Sequence, residues 1–238
     1  MKYRLLSFCM AVLLLISMIS VPRIEAANST ETFKDSADTK IVKLLEALGL
    51  MEIDSETGFF WDEMPVKRSE LAKIICKMFN ISETKDASPH FTDVSDYDRA
   101  YIETAIRNGY MSGYDNEKFG PDDYVTNIQL IKTFVTALGG DAAAQSQGGY
   151  PGGYITIGNM LGLLKGKAVA NENISRRIDV ANIIYTALHA DVLEIAGSVG
   201  NNINYKTVEG YTFLTEKRNI YRVKGIISQN EATSLNRD

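Results

Sequence analysis

The residues able to carry catalysis or to hold a metal ion are few and widely spaced. The two histidines, His90 and His189, lie far apart in the chain, and neither has a second ligand at the spacing that metal sites use. No serine stands in a nucleophile-elbow context, and the acids of residues 93–98 lack the glycine and the distal glutamate of a calcium loop. Cys76 lies on the apolar face of a predicted helix, where a small buried side chain is the simpler interpretation and a catalytic thiol the alternative. We therefore predict no catalytic residue, no metal and no cofactor, although paired carboxylates stay open because the fold decides which acids meet.

Charge and the N-terminal segment indicate an exported protein. The 238 residues include 25 Lys+Arg and 30 Asp+Glu, a formal net charge of −5, which argues against nucleic acid as a partner. Lys2 and Arg4 precede an apolar run over residues 5–21, and Ala26 offers a small residue for cleavage, so residues 1–26 are predicted to be a signal peptide. The alternative is a retained membrane anchor, for which the run is at the short limit. After cleavage we expect no membrane contact.

Three segments of the chain align with one another without a gap. Apolar residues recur in each at positions i, i+4 and i+8, which predicts three amphipathic helices. The segments are VKRSELAKIICKMF from Val66, VTNIQLIKTFVTAL from Val125 and SRRIDVANIIYTAL from Ser175. Upstream of each, a second apolar stretch ends in a glycine where a helix C terminus needs a left-handed residue, at Gly49, Gly109 and Gly162. The repeating unit is predicted to be helix, loop, helix, of about 50 residues.

Composition places the boundaries of these units. We assign repeats to residues 33–82, 91–140 and 148–196, with linkers over the polar residues 82–90 and over residues 139–153, which are rich in Gly, Ala and Gln. Residues 197–238 show alternating apolar positions and predict a β-like tail of two or three short strands, or the opening of a domain that this chain does not complete.

The second repeat carries a specific set of motifs. It has a Phe-x-Asp-Val opening at residues 91–94, a Gly-Tyr-x-x-Gly-Tyr centre at 109–114 and a Phe-x-Pro element at 119–121. Over its whole length this copy resembles the S-layer homology domain of bacterial surface proteins. The third copy, with Gly-Gly-Tyr-Pro at 148–151, is similar to a variant common in clostridial and related Gram-positive surface proteins.

The resemblance implies both a fold and a function. The implied fold is mainly α, with three helix-loop-helix repeats in a pseudo-threefold arrangement around a central three-helix bundle. The implied function is non-covalent anchoring of an exported protein to the cell wall, through a secondary cell wall polymer linked to peptidoglycan and often pyruvylated. The expected location is the cell wall or cell surface, and no catalysis is implied.

The Thr-Arg-Ala-Glu motif of the family supplies a cation for the carboxylate of a pyruvylated sugar. Residues 67–70 and 176–179 match this motif, so the resemblance implies Arg68 and Arg177 as ligand-binding residues. It gives Glu70 and Asp179 the role of orienting the arginine or capping the helix. The alternative for each arginine is a solvated first-turn residue, and its replacement is expected to leave the fold intact. The second copy has Asn127 at this position and is expected not to bind the charged group.

Five further residues are candidates for lining the sugar-binding groove that the resemblance implies. Asp93 and Asp35 match the opening aspartate that the family uses to shape the groove and to bind sugar hydroxyls; a helix N-cap or a turn aspartate is the alternative. Gly109 and Gly113 line the groove or only form the turn. Trp61 stacks on a sugar face or packs in the core.

Two other functions compete with simple anchoring. The protein could be a structural subunit that self-associates in a surface array, or a wall-anchored fragment of a glycoside or peptidoglycan hydrolase. A lattice seen by electron microscopy would favour the first, and lysis zones in wall zymography would favour the second.

Overall fold

A computed structural model describes residues 39–81, 91–164, 170–199 and 202–218. Within these ranges the chain forms eight helices and one two-stranded sheet, and the prediction of a mainly helical protein is confirmed. The helices are α1 (Thr39–Ala47), α2 (Arg68–Met78), α3 (Asp96–Arg107), α4 (Asn127–Ala137), α5 (Asp141–Ser146), α6 (Gly152–Met160), α7 (Arg177–Leu188) and α8 (Phe213–Arg218). The strands are β1 (Asp191–Val199) and β2 (Asn202–Thr212).

The core is built from the apolar stripes that the sequence repeats. On α2, α4 and α7 the residues at the first two stripe positions are all buried: Leu71 and Ile75, Leu130 and Phe134, Val180 and Ile184. Burying such side chains contributes about 1.5 to 3 kcal/mol each, so these three faces provide much of the driving force for folding. The glycines at the predicted helix ends have left-handed backbones, with φ of 66° at Gly49, 74° at Gly109 and 75° at Gly162.

A closed set of backbone hydrogen bonds joins the residues that precede α2, α4 and α7. The Val66 N–H donates to the Ser175 carbonyl (3.1 Å), the Val125 N–H to the Val66 carbonyl (3.0 Å) and the Ser175 N–H to the Val125 carbonyl (2.7 Å). We call these three bonds the backbone ring. The N termini of the three helices therefore meet at one place, and the residue at the motif position of each helix lies two residues after a member of the ring.

The backbone ring also explains how these helices begin. The first N–H groups of a helix have no partner inside it. Here the neighbouring segment supplies the acceptors, since Arg68 N donates to Asp123 O (2.9 Å), Asn127 N to Asn173 O (2.9 Å) and Arg177 N to Met64 O (2.8 Å). Helix α4 adds a capping box between Thr126 and Gln129.

The segment predicted as a linker over residues 139–153 contains helix α5, so that prediction is wrong. Ala143 and Ala144 are buried, and Gln145 donates to the Tyr154 hydroxyl (3.0 Å), which in turn donates to Asp141. This segment needs small residues such as glycine and alanine because helices α5 and α6 pack closely against each other. An abundance of glycine and alanine is also typical of linkers, so composition alone did not distinguish a linker from two closely packed helices.

The β tail begins earlier than predicted. Strand β1 starts at Asp191, inside the range assigned to the third repeat, and pairs antiparallel with β2. Phe213 falls within the predicted β-like tail but begins α8, and its buried ring meets Phe79 edge-on with centroids 4.7 Å apart. The predicted signal peptide, Asp35, and the end of the tail from 219 to 238 lie outside the described residues. No helix in the described part of the chain is long and apolar enough to span a bilayer.

Candidate functional site

Arg68, the first residue of α2, is buried against the loop that follows α3. Its side chain is only 6% exposed. The guanidinium donates from Nε to the Phe119 carbonyl (3.0 Å) and from Nη2 to the Ser112 carbonyl (2.7 Å). The aromatic rings of Tyr114 and Phe119 lie 4.7 Å and 4.5 Å from Cζ. The alternative of a solvated first-turn residue is therefore wrong for Arg68.

The charge of Arg68 has no direct counter-ion among the residues that the structure describes. Its two hydrogen-bond acceptors are neutral carbonyls, and no carboxylate in those ranges forms an ion pair with it. Burial lowers the pKa of the Arg68 guanidinium, and the electrostatic effects of Tyr114, Asp123 and Asp93 oppose this only in part. A buried charge without an ionic partner costs free energy that an anionic ligand would recover.

Arg68 lines a cavity of about 410 Å³, which we call the Arg68 cavity. This volume lies within the range of about 300 to 1,000 Å³ that is usual for small-ligand sites. One wall is the loop over residues 109–114. The other walls come from α4 and from the α5–α6 pair: Gln129, Lys132, Thr133, Thr136, Asp141, Gln145, Tyr150 and Tyr154.

Asp93 shapes this site from behind the loop. Its carboxylate accepts hydrogen bonds from the backbone N–H groups of Phe119 (3.0 Å) and Gly120 (2.8 Å). Ser95, not Asp93, caps α3, so the N-cap alternative for Asp93 is wrong. Desolvation alone would raise the pKa of Asp93, but these hydrogen bonds outweigh it and hold the pKa below its ordinary value of 3.8. Asp93 thus fixes the carbonyl of Phe119 where Arg68 needs it.

Gly109 and Gly113 both line the Arg68 cavity. At Gly113 a Cβ atom would lie 2.5 Å from Cε1 of Phe91 and 2.8 Å from the Asp115 carbonyl oxygen. Glycine at 113 is therefore required by close packing, and it leaves the backbone of the loop accessible on the cavity side.

Replacing Asp93 with alanine is expected to lower the free energy of unfolding by about 1 to 3 kcal/mol, because two backbone donors lose their acceptor. A carboxyl whose pKa is depressed by folding stabilises the protein fully above its unfolded pKa, and this contribution is lost as the pH falls through the lower folded pKa. The difference between wild type and Asp93→Ala should therefore be complete at pH 7 and shrink below about pH 4. Urea unfolding at a series of pH values measures it.

Asp122→Ala is the matched control for this experiment. Its carboxylate forms a surface ion pair with Lys67 and its side chain is 83% exposed, so little change in stability is expected. An Asp93→Ala protein as stable as the control at pH 7 would contradict the structural role of Asp93.

Arg177 lies at the equivalent position of α7, but its charge is neutralised. The guanidinium donates to the carbonyls of Phe60 (2.8 Å) and Glu52 (2.8 Å), as Arg68 does to its own loop, and Nη1 also lies 2.7 Å from Glu70 Oε1. Glu70 was expected to orient an arginine of its own motif, but the arginine that it contacts belongs to another segment. That arginine is Arg177 and not its motif neighbour Arg68.

Arg177 lines a second cavity, of about 610 Å³, with Trp61 in its wall. Trp61 is 42% exposed and packs against Phe59, with ring centroids 5.0 Å apart. The other charged residues of this wall are all acidic: Glu52, Asp54, Glu56 and Glu70. The surroundings of Arg177 thus differ in electrostatic sign from those of Arg68.

Asp179 caps α7 and does not touch Arg177. It accepts hydrogen bonds from the backbone N–H and the Nε of Arg176 (3.1 and 2.8 Å), and Arg176 also pairs with Glu63 (3.0 Å). The hydrogen bonds to Asp179 and then to Glu63 raise the pKa of Arg176. The capping role predicted for Asp179 is confirmed, and the orienting role is wrong.

Asn127 lies at the third equivalent position, and both ends of its side-chain amide are hydrogen-bonded to neutral partners. Its amide donates to Asn171 Oδ1 (2.8 Å) and its carbonyl oxygen accepts from the Ser175 hydroxyl (2.8 Å). This arrangement offers no cation to a ligand.

Sequence reasoning missed the residues on the far wall of the Arg68 cavity, above all Lys132 and Tyr150. A signal was present, because Gln129, Lys132, Thr133 and Thr136 place polar groups at helical spacing on one side of α4. Within the described ranges no cluster of three or more His, Cys, Asp and Glu residues is placed to hold a metal ion.

Comparison with known proteins matches the part of the chain that contains the loop side of this cavity. Residues 90–130 match the family described as S-layer homology domain. Over these residues the chain is similar to an S-layer homology domain. The matched range includes Asp93, Gly109, Gly113 and Phe119, whereas Arg68 and Lys132 lie outside it.

Two curated proteins are similar to the chain beyond the S-layer homology domain. A middle cell wall protein of Brevibacillus brevis is 26% identical over 175 residues, 71% of this chain. A surface layer protein of Brevibacillus choshinensis is 26% identical over 181 residues, 73% of this chain. The aligned region covers only 16% of the length of each relative.

Proposed function

We propose that the chain anchors an exported protein to the cell wall by binding an acidic sugar of a secondary wall polymer in the Arg68 cavity. The observation that carries this proposal is a buried guanidinium, held by two carbonyls and lacking an ionic partner in the described chain, at the wall of an open cavity. A carboxylate such as that of a pyruvate ketal would complete the hydrogen bonding of this guanidinium. Such a charge-assisted bond contributes about 1.5 to 3 kcal/mol.

The location at the cell surface follows from the S-layer homology domain together with the two relatives, one named as a cell wall protein and the other as a surface layer protein. Neither name is that of an enzyme. The name of the second relative also favours an array subunit that binds copies of itself, and electron microscopy of the protein on wall fragments tests this second candidate.

The proposal includes three repeats in a pseudo-threefold arrangement, with α2, α4 and α7 as equivalent helices. Its support is the backbone ring, in which the segment before each helix donates to one neighbour and accepts from the other. The equivalent positions of Arg68, Asn127 and Arg177 add to this support.

Co-sedimentation with purified walls tests the anchoring function. The exported protein should pellet with walls that retain the secondary polymer, and should stay in the supernatant after the polymer has been extracted with hydrofluoric acid. Equal pelleting with both preparations would rule out the polymer as the ligand.

Replacing Arg177 with glutamine is expected to weaken wall binding less than threefold, because Glu70 already neutralises this arginine. The sequence alone implied similar roles for both arginines, and the ion pair is the reason to separate them. Asn127→Ala should leave binding unchanged, since its partners are neutral. Binding isotherms on walls measure both variants, and a tenfold loss in Arg177→Gln with its fold intact would make the second cavity a binding site as well.

A further inference from the structure

Lys132 presents a second cation to the Arg68 cavity. It lies on α4, and its ammonium is 5.8 Å from the ring centroid of Tyr150 and 5.9 Å from that of Tyr154. No carboxylate among the described residues forms an ion pair with it. The two aromatic rings hold the ammonium in place without cancelling its charge.

Two carboxylates at this part of the molecule, Asp141 and Glu172, have hydrogen-bond partners other than Lys132. Asp141 accepts from the hydroxyls of Tyr154 and Thr136, the latter at 3.4 Å. Glu172, outside the cavity lining, accepts from the Thr126 hydroxyl at 3.3 Å and also hydrogen-bonds the Tyr150 side chain. The cavity wall therefore contains two cations, Arg68 and Lys132, and a single carboxylate.

The tyrosines beside Lys132 differ in exposure. Tyr154 is buried and fixed by Gln145, and its ring centroid is 6.3 Å from that of Tyr150. Tyr150 is 49% exposed and lines the cavity, so it offers an aromatic surface to a sugar ring. A cation next to an accessible aromatic ring suits a sugar that carries an acidic substituent.

We propose that Lys132 is a second anion-binding residue of the Arg68 cavity, so that the preferred ligand is an acidic saccharide with two anionic groups, one paired with Arg68 and the other with Lys132, and with Tyr150 in contact with a sugar ring. This inference rests on the proposed wall-binding function. It extends that function by specifying the charge of the ligand. A ligand with one carboxylate would leave Lys132 without an ionic partner.

Salt dependence of binding to polymer-bearing wall fragments distinguishes the proposal from a purely structural role of Lys132. Lys132→Gln should weaken binding about fivefold or more at low salt and should reduce the dependence of affinity on NaCl concentration, because one ion pair is lost. Lys132→Arg should restore both the affinity and the salt dependence. A structural role would be seen as a lower melting temperature without a change in salt dependence.

The chain provides a matched control in Lys73. This residue has the same place on α2 that Lys132 has on α4, and its ammonium lies 5.8 Å from the ring of Tyr97, but it does not line the Arg68 cavity. Lys73→Gln should bind as the wild type does.

The outcomes separate the two proposals. If the wild type binds and Arg68→Lys weakens binding while Lys132→Gln changes neither affinity nor salt dependence, the second anion site is overturned and anchoring stands. If the wild type fails to bind polymer-bearing walls, both are overturned. Equal losses in Lys132→Gln and Lys73→Gln would also overturn the assignment, since the effect would not belong to the cavity.

Discussion

Replacing Arg68 with alanine is expected to lower the affinity for the wall polymer tenfold or more and to lower the free energy of unfolding by about 2 kcal/mol or more. The binding loss follows because this guanidinium is the buried cation without an ionic partner in the described chain. The stability loss follows because the carbonyls of Phe119 and Ser112 lose their donor and a space opens between Tyr114 and Phe119. The sequence alone predicted that this replacement leaves the fold intact; the burial of Arg68 is the reason to expect a loss of stability as well.

Arg68→Lys separates the two effects. Lysine keeps the charge and most of the volume but cannot offer several donors in one plane, so binding should fall more than stability does. Wall-binding isotherms and urea unfolding on the same samples measure both. If Arg68→Lys binds normally, the planar guanidinium is not what the ligand recognises.

Replacing Gly153 with alanine is expected to destabilise the protein by about 3 kcal/mol. A Cβ atom at this position would lie 2.0 Å from the carbonyl oxygen of Ala144, which is backbone and cannot rotate away. Helices α5 and α6 would have to separate. Asp141, Gln145 and Tyr154 would move with them, so the far wall of the Arg68 cavity should lose its shape and wall binding should fall.

Gly152→Ala is the control for this change. No atom outside the neighbouring residues and the helix's own backbone lies within 4 Å of a Cβ built at Gly152, so the control should be about as stable as the wild type. Thermal unfolding followed by circular dichroism compares the two. A Gly153→Ala protein that melts with the control would show that α5 and α6 do not need this close approach.

The sequence predicted where the helices lie better than it predicted which segments of the chain contact one another. The spacing of Leu71 and Ile75, like that of Leu130 and Phe134, indicates buried helix faces, because only a helix places such residues on one side. The left-handed glycine at position 109 was predictable for a similar local reason. These inferences depend only on neighbours in the chain.

The errors concern contacts between distant segments. Glu70 was assigned to Arg68 because the two lie in one motif, but it pairs with Arg177, which is 107 residues away. That choice depends on how the helix N termini meet, which no local pattern records. Lys132 was missed for the same reason, since the tyrosines beside it come from another part of the chain.

The backbone ring has a consequence for how the molecule loses its structure. In an open stack of repeats each unit contacts only its neighbours, so an end unit can unravel while the others persist. Here each of Val66, Val125 and Ser175 donates to one partner and accepts from another, so none of the three segments lies at an end. Releasing any one segment strands a donor and an acceptor on the other two. The helices that start from the ring should therefore unfold in a single cooperative step, and hydrogen exchange should give one common free energy of opening for the amides of all three segments.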